Sequence, residues 1–176
     1  GDQEKMPLTE DMAPAPKSPY GLHKHVGELY ASVFAEVYGI ETVSLRYFNI
    51  YGPRQSDEGA YALVIAKFLK QKKEVVPMTI TGDGEQTRDF THVKDAVRAN
   101  ILAAKSGKVG KGEVINIGSG KNISVNRIAE LIGGEVSYIP ARLEPKHGLA
   151  GISKAKDLLD WRPSVMIEEG IKEFLV

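Results

Sequence analysis

The 176-residue chain carries 23 basic and 23 acidic side chains, so it has no basic field to recruit nucleic acid or anionic lipid. It contains no cysteine, which excludes disulfides, thiolate catalysis and cysteine zinc sites. No apolar run is long enough to span a membrane and no secretory leader is read, so a cytoplasmic location is the default expectation.

Pro7, Pro14, Pro16 and Pro19 sit among polar and acidic residues, and proline at that density rules out a helix or an inner strand before residue 20. From Tyr20 to about Tyr38 the apolar spacing is helical, with Leu22, Val26, Leu29, Tyr30 and Phe34 on one stripe and Gly39 as the stop. Thr42 to Phe48 is rich in β-formers and predicts a strand, as do Val114 to Ile117, Met78 to Thr81 and Thr87 to Val93. Gly82-Asp83-Gly84 reads as a turn.

A helix is predicted from Ala60 to about Gln71, with Leu63, Val64, Phe68 and Leu69 inward and Lys67, Lys70, Lys72 and Lys73 solvated. Val93 to Ala104 predicts another, capped by Asp95 or the Thr91 region. Ser124 is the expected N-cap of a helix over 126–132. Two short helices, 153–159 and 167–175, flank Trp161-Arg162-Pro163. The alternation predicts an α/β fold.

Tyr20 and Lys24 stand four residues apart at the start of the first helix, which places phenol and ammonium on one face. A nearby cation favours the phenolate, so the pair can move a proton. In a chain with seven tyrosines that spacing alone says little. The four histidines, His23, His25, His92 and His147, show no metal-ligand spacing with a carboxylate, and no metal site is expected.

The order of motifs says more. The Tyr-x-x-x-Lys pair is followed by Leu45-Arg46-Tyr47-Phe48-Asn49-Ile50-Tyr51-Gly52-Pro53-Arg54, then Gly82-Asp83-Gly84-Glu85-Gln86-Thr87-Arg88-Asp89-Phe90, Asn116-Ile117-Gly118-Ser119-Gly120 and Pro140-Ala141-Arg142. In that order they resemble the nucleotide-sugar epimerases and dehydratases, the extended branch of the short-chain dehydrogenase/reductases. The resemblance spans nearly the whole chain but lacks the family's opening glycine-rich strand-turn-helix and its catalytic serine or threonine. It therefore implies the C-terminal part of a Rossmann-like doubly wound sheet, residues 1–57, with a further strand near 112–118. A small α/β substrate-binding domain, mainly within 58–176, accompanies it.

By that resemblance Tyr20 is the catalytic base and Lys24 contacts the ribose of NAD and lowers the tyrosine pKa. Tyr47 and Phe48 would border the nicotinamide. Most of the NAD site would lie in a preceding half. Arg88 and Arg142 match the arginines that hold the diphosphate of a UDP-sugar, a task suited to guanidinium forks. Asn49 matches the residue that hydrogen-bonds the phosphates, Thr79 and Thr81 fall on the nucleobase pocket, and Leu63 and Val64 supply its apolar walls.

By the same resemblance Gly148 falls at the position beside the sugar's second carbon, where the absence of a side chain would favour N-acetylated sugars as well as plain hexoses. In the same loop the family's acidic residue after the arginine is replaced by Leu143-Glu144-Pro145, with Glu144 as the candidate substitute. The family's Ala-Asp-x-Ser-Lys reads here Ala150-Gly151-Ile152-Ser153-Lys154.

The implied function is that of a UDP-sugar 4-epimerase, with a 4,6-dehydratase or decarboxylase as the alternative chemistry. A piece without its cofactor half is expected to be inactive alone, a sugar-nucleotide-binding or dimerising fragment. The resemblance also implies a homodimer paired through the Tyr-Lys helix, and leaves open a separate N-terminal half.

Overall fold

The computed structural model describes residues 3, 5–56, 63–141 and 146–175. It begins with a proline-rich segment leading into α1 (Pro19–Tyr38). Proline at the first helical turn and the Ser18 hydroxyl, accepting from Gly21 N at 3.1 Å, start the helix. Gly39 ends it at φ 65°, with its N–H on the Ala35 carbonyl and the Ile40 N–H on that of Phe34.

Then follow β1 (Thr42–Tyr47), β2 (Ile50–Tyr51), α2 (Val64–Lys73), β3 (Met78–Thr81), β4 (Thr87–Asp89), β5 (Thr91–His92) and α3 (Val93–Lys105). The chain continues with β6 (Lys111–Ile117), β7 (Asn122–Ser124), α4 (Val125–Ile132), β8 (Val136–Ile139), α5 (Ser153–Leu159) and α6 (Ile167–Lys172). The fold is α/β. Parallel pairs join β1 to β6, β2 to β5 and β3 to β8, while β4 and β7 run antiparallel. Among the described residues β1 has no strand on its other edge, unlike the central strands of parallel sheets.

Two apolar cores form. One gathers Ile115 and Ile117 of β6, Ala99 and Ala103 of α3, Ala155 and Leu159 of α5, and Trp161. The other joins Ile65 and Phe68 of α2, Met78 and Ile80 of β3, Ile128 and Ile132 of α4, Ile171 of α6 and Tyr51. Ser124 caps α4 as predicted, accepting from Arg127 N at 3.1 Å.

Several expectations need correction. Most of the apolar stripe of α1 does not face the sheet: Leu22, Leu29, Tyr30 and Phe34 are exposed, and Val26 is partly buried alongside Gly21, His25, Glu28, Ala31 and Ala35. Helix α1 runs close to β6 at Ser32, where the strand has a glycine. A Cβ at Gly112 would lie 2.5 Å from Ser32 Cα.

The predicted strand 87–93 is two strands interrupted at Phe90, and Val93 already starts α3. Helix α2 starts at Val64; Ala60 lies outside the described residues. Of its lysines, Lys72 is not simply solvated, since its ammonium donates to the Ile132 carbonyl on α4.

The cap of α3 is His92, within the predicted Thr91 region and not Asp95: its Nδ1 accepts from Lys94 N at 3.3 Å, so the neutral ring carries its proton on Nε2. His92 is buried, its Nε2 lies 3.7 Å from Glu173 Oε2, the Tyr51 ring meets it edge-on, and Lys94 and Asp95 also face it. Burial holds its pKa below the usual imidazole range. As pH falls through about 6.5 the unfolded chain takes up this proton before the folded one, and stability declines; above that pH the contribution is fully present. Urea unfolding at about pH 7.5 and about pH 5.5 should show the decline, and His92→Asn, which keeps a capping acceptor without titrating, should flatten it. An unchanged slope in His92→Asn would place the titrating group elsewhere.

Candidate active site

The N-terminal turns of α1 and the carboxyl end of β1 enclose one cavity of about 610 Å³. Tyr20, Lys24, His25 and Glu28 line it from the helix, and Arg46, Tyr47 and Phe48 from the strand. Lys24 Nζ lies 5.4 Å from the centroid of the Tyr20 ring, within cation–π range. The helical spacing thus delivers phenol and ammonium to the same space.

Beneath them Arg46 donates through Nε and Nη2 to both oxygens of Glu28, at 2.7 and 2.8 Å. This fork holds the Glu28 carboxyl below its ordinary range and anchors α1 to β1. His25 Nδ1 approaches Glu28 Oε2 at 3.6 Å. On the far side Glu10 accepts from Asn116 N at 2.8 Å, and the buried Asn116 amide donates to the carbonyls of Leu8 and Gly151. These bonds close the proline-rich segment over the sheet.

Tyr47 does more than border the cavity, because its hydroxyl donates to Asn100 Oδ1 on α3 at 2.9 Å. Asn49 follows with φ 35°, a left-handed conformation that asparagine tolerates. Its amide donates to the Asp89 carbonyl at 2.7 Å, and its own carbonyl accepts from Thr91 N at 3.3 Å.

Arg88 stands next to Asp89 on β4, with Nη1 donating to the Thr87 carbonyl at 2.9 Å. Across from it, Thr87 N donates to the Lys146 carbonyl and Gly148 N to the Thr87 carbonyl, at 2.9 and 3.1 Å. A Cβ at Gly148 would lie 3.9 Å from Arg88 Cδ, in ordinary contact. The structure therefore brings Arg88 and Gly148 together, an adjacency that their separation in the sequence conceals.

Thr79 and Thr81 are half-buried on β3. Gln71 of α2 grips Thr79 twice, donating to its hydroxyl and accepting from its N–H, each at 3.0 Å. Leu63 is the residue before α2, and Val64, its first residue, packs on the core. Arg142 and Glu144 lie outside the described residues. Arg88, Thr79, Thr81 and Gly148 do not line the Tyr20–Lys24 cavity, and the run Tyr47-Phe48-Asn49 links the two regions.

Asp89, Ser119, Gly120 and Ala150 were not singled out by the sequence, although all four fall in motifs quoted above. Asp89 is fully buried and accepts from the backbone of Ser119, Gly120 and Ala150. Burial raises its carboxyl pKa, against the pull of those donors.

The residues that would face NAD fit part of that cofactor. A phenol and an ammonium share a cavity bordered by Tyr47 and Phe48, which suits the nicotinamide ribose end. No group of three His, Cys, Asp or Glu able to hold a metal occurs among the described residues. Nor is any helix among them long and apolar enough to cross a membrane.

Comparison with known proteins gives this geometry its context. The UDP-N-acetylglucosamine 4-epimerase of Methanobrevibacter ruminantium M1, solved with UDP-N-acetylmuramic acid, superposes with a TM-score of 0.93 at 40% identity, covering 99% of this chain and 58% of that one. The UDP-glucose 4-epimerase of Thermotoga maritima, solved with UDP-glucose, gives 0.90 at 38% identity over 99% and 58%. The UDP-glucuronic acid 4-epimerase of Bacillus cereus, solved with UDP-glucuronic acid and NAD, gives 0.85 at 36% over 97% and 55%. The chain spans about half the length of the curated relatives it matches. The pattern of the NAD dependent epimerase/dehydratase family matches residues 1–118. With two thirds of its length matched, the chain belongs to the NAD dependent epimerase/dehydratase family.

Proposed function

We propose that this chain supplies the proton-transfer pair and the sugar-nucleotide pocket of a UDP-sugar 4-epimerase. The observation that carries the proposal is the continuity of residues 47–49. Tyr47 and Phe48 close the cavity of Tyr20 and Lys24, and the next residue, Asn49, is tied to Asp89 beside Arg88. A proton-transfer pair and a phosphate-binding arginine thus flank one short run of backbone.

Tyr20 takes the proton from the sugar 4-hydroxyl and returns it, while Lys24 stabilises the phenolate and holds the cofactor ribose. NAD, when bound, accepts hydride from carbon 4 and gives it back to the opposite face of the sugar. Arg88 and Arg142 neutralise the diphosphate, Asn49 bonds it, Glu144 serves in the same loop, and Thr79, Thr81, Leu63 and Val64 receive the uracil. Gly148 leaves room for an N-acetyl group, so UDP-N-acetylglucosamine is a substrate alongside UDP-glucose.

The division near residue 57 and a cytoplasmic location belong to the same proposal. So does assembly. The unpaired edge of β1 favours an N-terminal half that continues the sheet, and the exposed Leu29, Tyr30, Val33, Phe34 and Val37 of α1 favour a homodimer through that helix. On its own, the chain binds UDP-sugar without turning it over.

Calorimetry with UDP-N-acetylglucosamine, UDP-glucose and dTDP-glucose, with and without NAD, tests the pocket. Binding of the UDP-sugars is expected, and Arg88→Ala should weaken it about 10- to 100-fold, the worth of a charge-assisted pair. Undiminished binding by Arg88→Ala would remove the diphosphate from Arg88. Absence of binding by the folded wild-type chain would refute the claim that these residues form the pocket unaided.

A further inference from the structure

Asp89 has no solvent exposure, yet it is placed at the crossing of three segments remote in sequence. Its Oδ1 accepts from Ser119 N and Ser119 Oγ, both at 2.6 Å, and its Oδ2 accepts from Gly120 N at 3.0 Å and Ala150 N at 3.1 Å. Its backbone carbonyl accepts from Asn49 Nδ2 at 2.7 Å. The fit is tight enough to forbid a neighbouring side chain: a Cβ at Gly118 would lie 2.3 Å from Ala150 Cβ and 2.9 Å from Asp89 Oδ2.

Burying a carboxylate is costly even when donors surround it, and a buried charge is weak evidence of stabilisation. What the arrangement does secure is geometry. Its own strand and two of the three segments it holds carry a residue of the proposed pocket. Arg88 is its neighbour on β4, Gly148 lies two residues before Ala150 and is itself bonded to Thr87, and Asn49 is held directly.

We infer that Asp89 is a positioning residue for the sugar-diphosphate part of the site, an inference that rests on the UDP-sugar function proposed above. Its carboxylate sets the separation of Arg88 from the Gly148–Ala150 segment, and its backbone carbonyl holds Asn49, without touching the ligand. The uracil pocket on β3 and α2 does not depend on it, because Thr79 is oriented separately by Gln71.

The consequence is a split between ligands. Asp89→Asn keeps the volume but turns an NH₂ towards one pair of donors, so the clamp opens. Titrated with uridine and with UDP-N-acetylglucosamine, this variant should keep uridine affinity within about twofold and lose about 10- to 100-fold for the sugar nucleotide. Equal losses for both ligands, or none, would overturn the inference.

Amide hydrogen exchange on the ligand-free chain tests the clamp independently of binding. Asp89→Asn should speed exchange at least about tenfold at Ser119, Gly120, Ala150 and Gly148, leaving Met78 and Gly82 of the β3 region unchanged. Wild-type protection at Gly148 would overturn it. Ser119→Ala, which removes only the hydroxyl donor, should shift both readouts in the same direction by a few-fold and covers the case in which Asp89→Asn does not fold. A wild-type chain that binds no UDP-sugar would refute the proposed function, whereas the exchange pattern would still decide whether Asp89 holds these segments together.

Discussion

Tyr20→Phe is expected to lower 4-epimerase turnover by about 10²- to 10⁴-fold, the usual worth of a general acid–base group, while UDP-sugar affinity stays near the wild-type value. The measurement uses this chain joined to the N-terminal half of a family member and supplied with NAD. Phenylalanine keeps the ring and its contact with Lys24, whose Nζ lies 5.4 Å from the ring centroid, and removes only the proton-carrying oxygen. The loss therefore falls on the chemical step. Lys24→Met differs in kind: it removes the charge that favours phenolate and the proposed contact with the cofactor ribose, so it should reduce both turnover and NAD affinity. If Tyr20→Phe turned over substrate within about threefold of wild type, another group would be the base.

Trp161→Ala should cost about 3–5 kcal/mol of folding stability. Against a total of about 5–15 kcal/mol for a domain, that is enough to leave much of the chain unfolded at low urea. Trp161 has no solvent exposure and fills the core between β6, α3 and α5, touching the cluster of Ile115, Ile117, Ala99, Ala103, Ala155 and Leu159. Its indole N–H donates to the Asp95 carbonyl at 3.0 Å. The Asp95 carboxylate in turn accepts from Ser164 N, Ser164 Oγ, Val165 N and Arg98 Nη2. The indole thus fastens the segment after α5 onto the start of α3. Trp161→Phe keeps most of the volume and loses the hydrogen bond, so it should cost only about 1–3 kcal/mol. Urea unfolding followed by circular dichroism separates the two variants. A loss below about 1 kcal/mol for Trp161→Ala would show that the surrounding chain collapses into the space.

The local chemistry of the chain determined much of this architecture. Gly39 stops α1 because it alone takes the left-handed turn cheaply, and Ser124 starts α4 because its hydroxyl meets a free N–H. The four-residue spacing of Tyr20 and Lys24 places them on one face of any helix, and the motif order implied the family. Ser18 before Pro19 was an equally readable start for α1, though the reading began at Tyr20. Tertiary structure decided the rest. Periodicity reveals a stripe on α1 but not what it meets, and the sheet meets a different side of the helix, where Arg46 holds Glu28 and Gly112 lets β6 approach Ser32. Two-residue strands such as β2 and β5 carry no pattern of their own and exist only because each pairs with the other. His92 rather than Asp95 caps α3, because Asp95 is drawn away to Ser164 and Val165, about seventy residues later. In the same way Asn49, Asp89, Ser119 and Ala150 become neighbours only when the chain folds. A sequence can specify which groups need partners, but packing decides which distant segment supplies them.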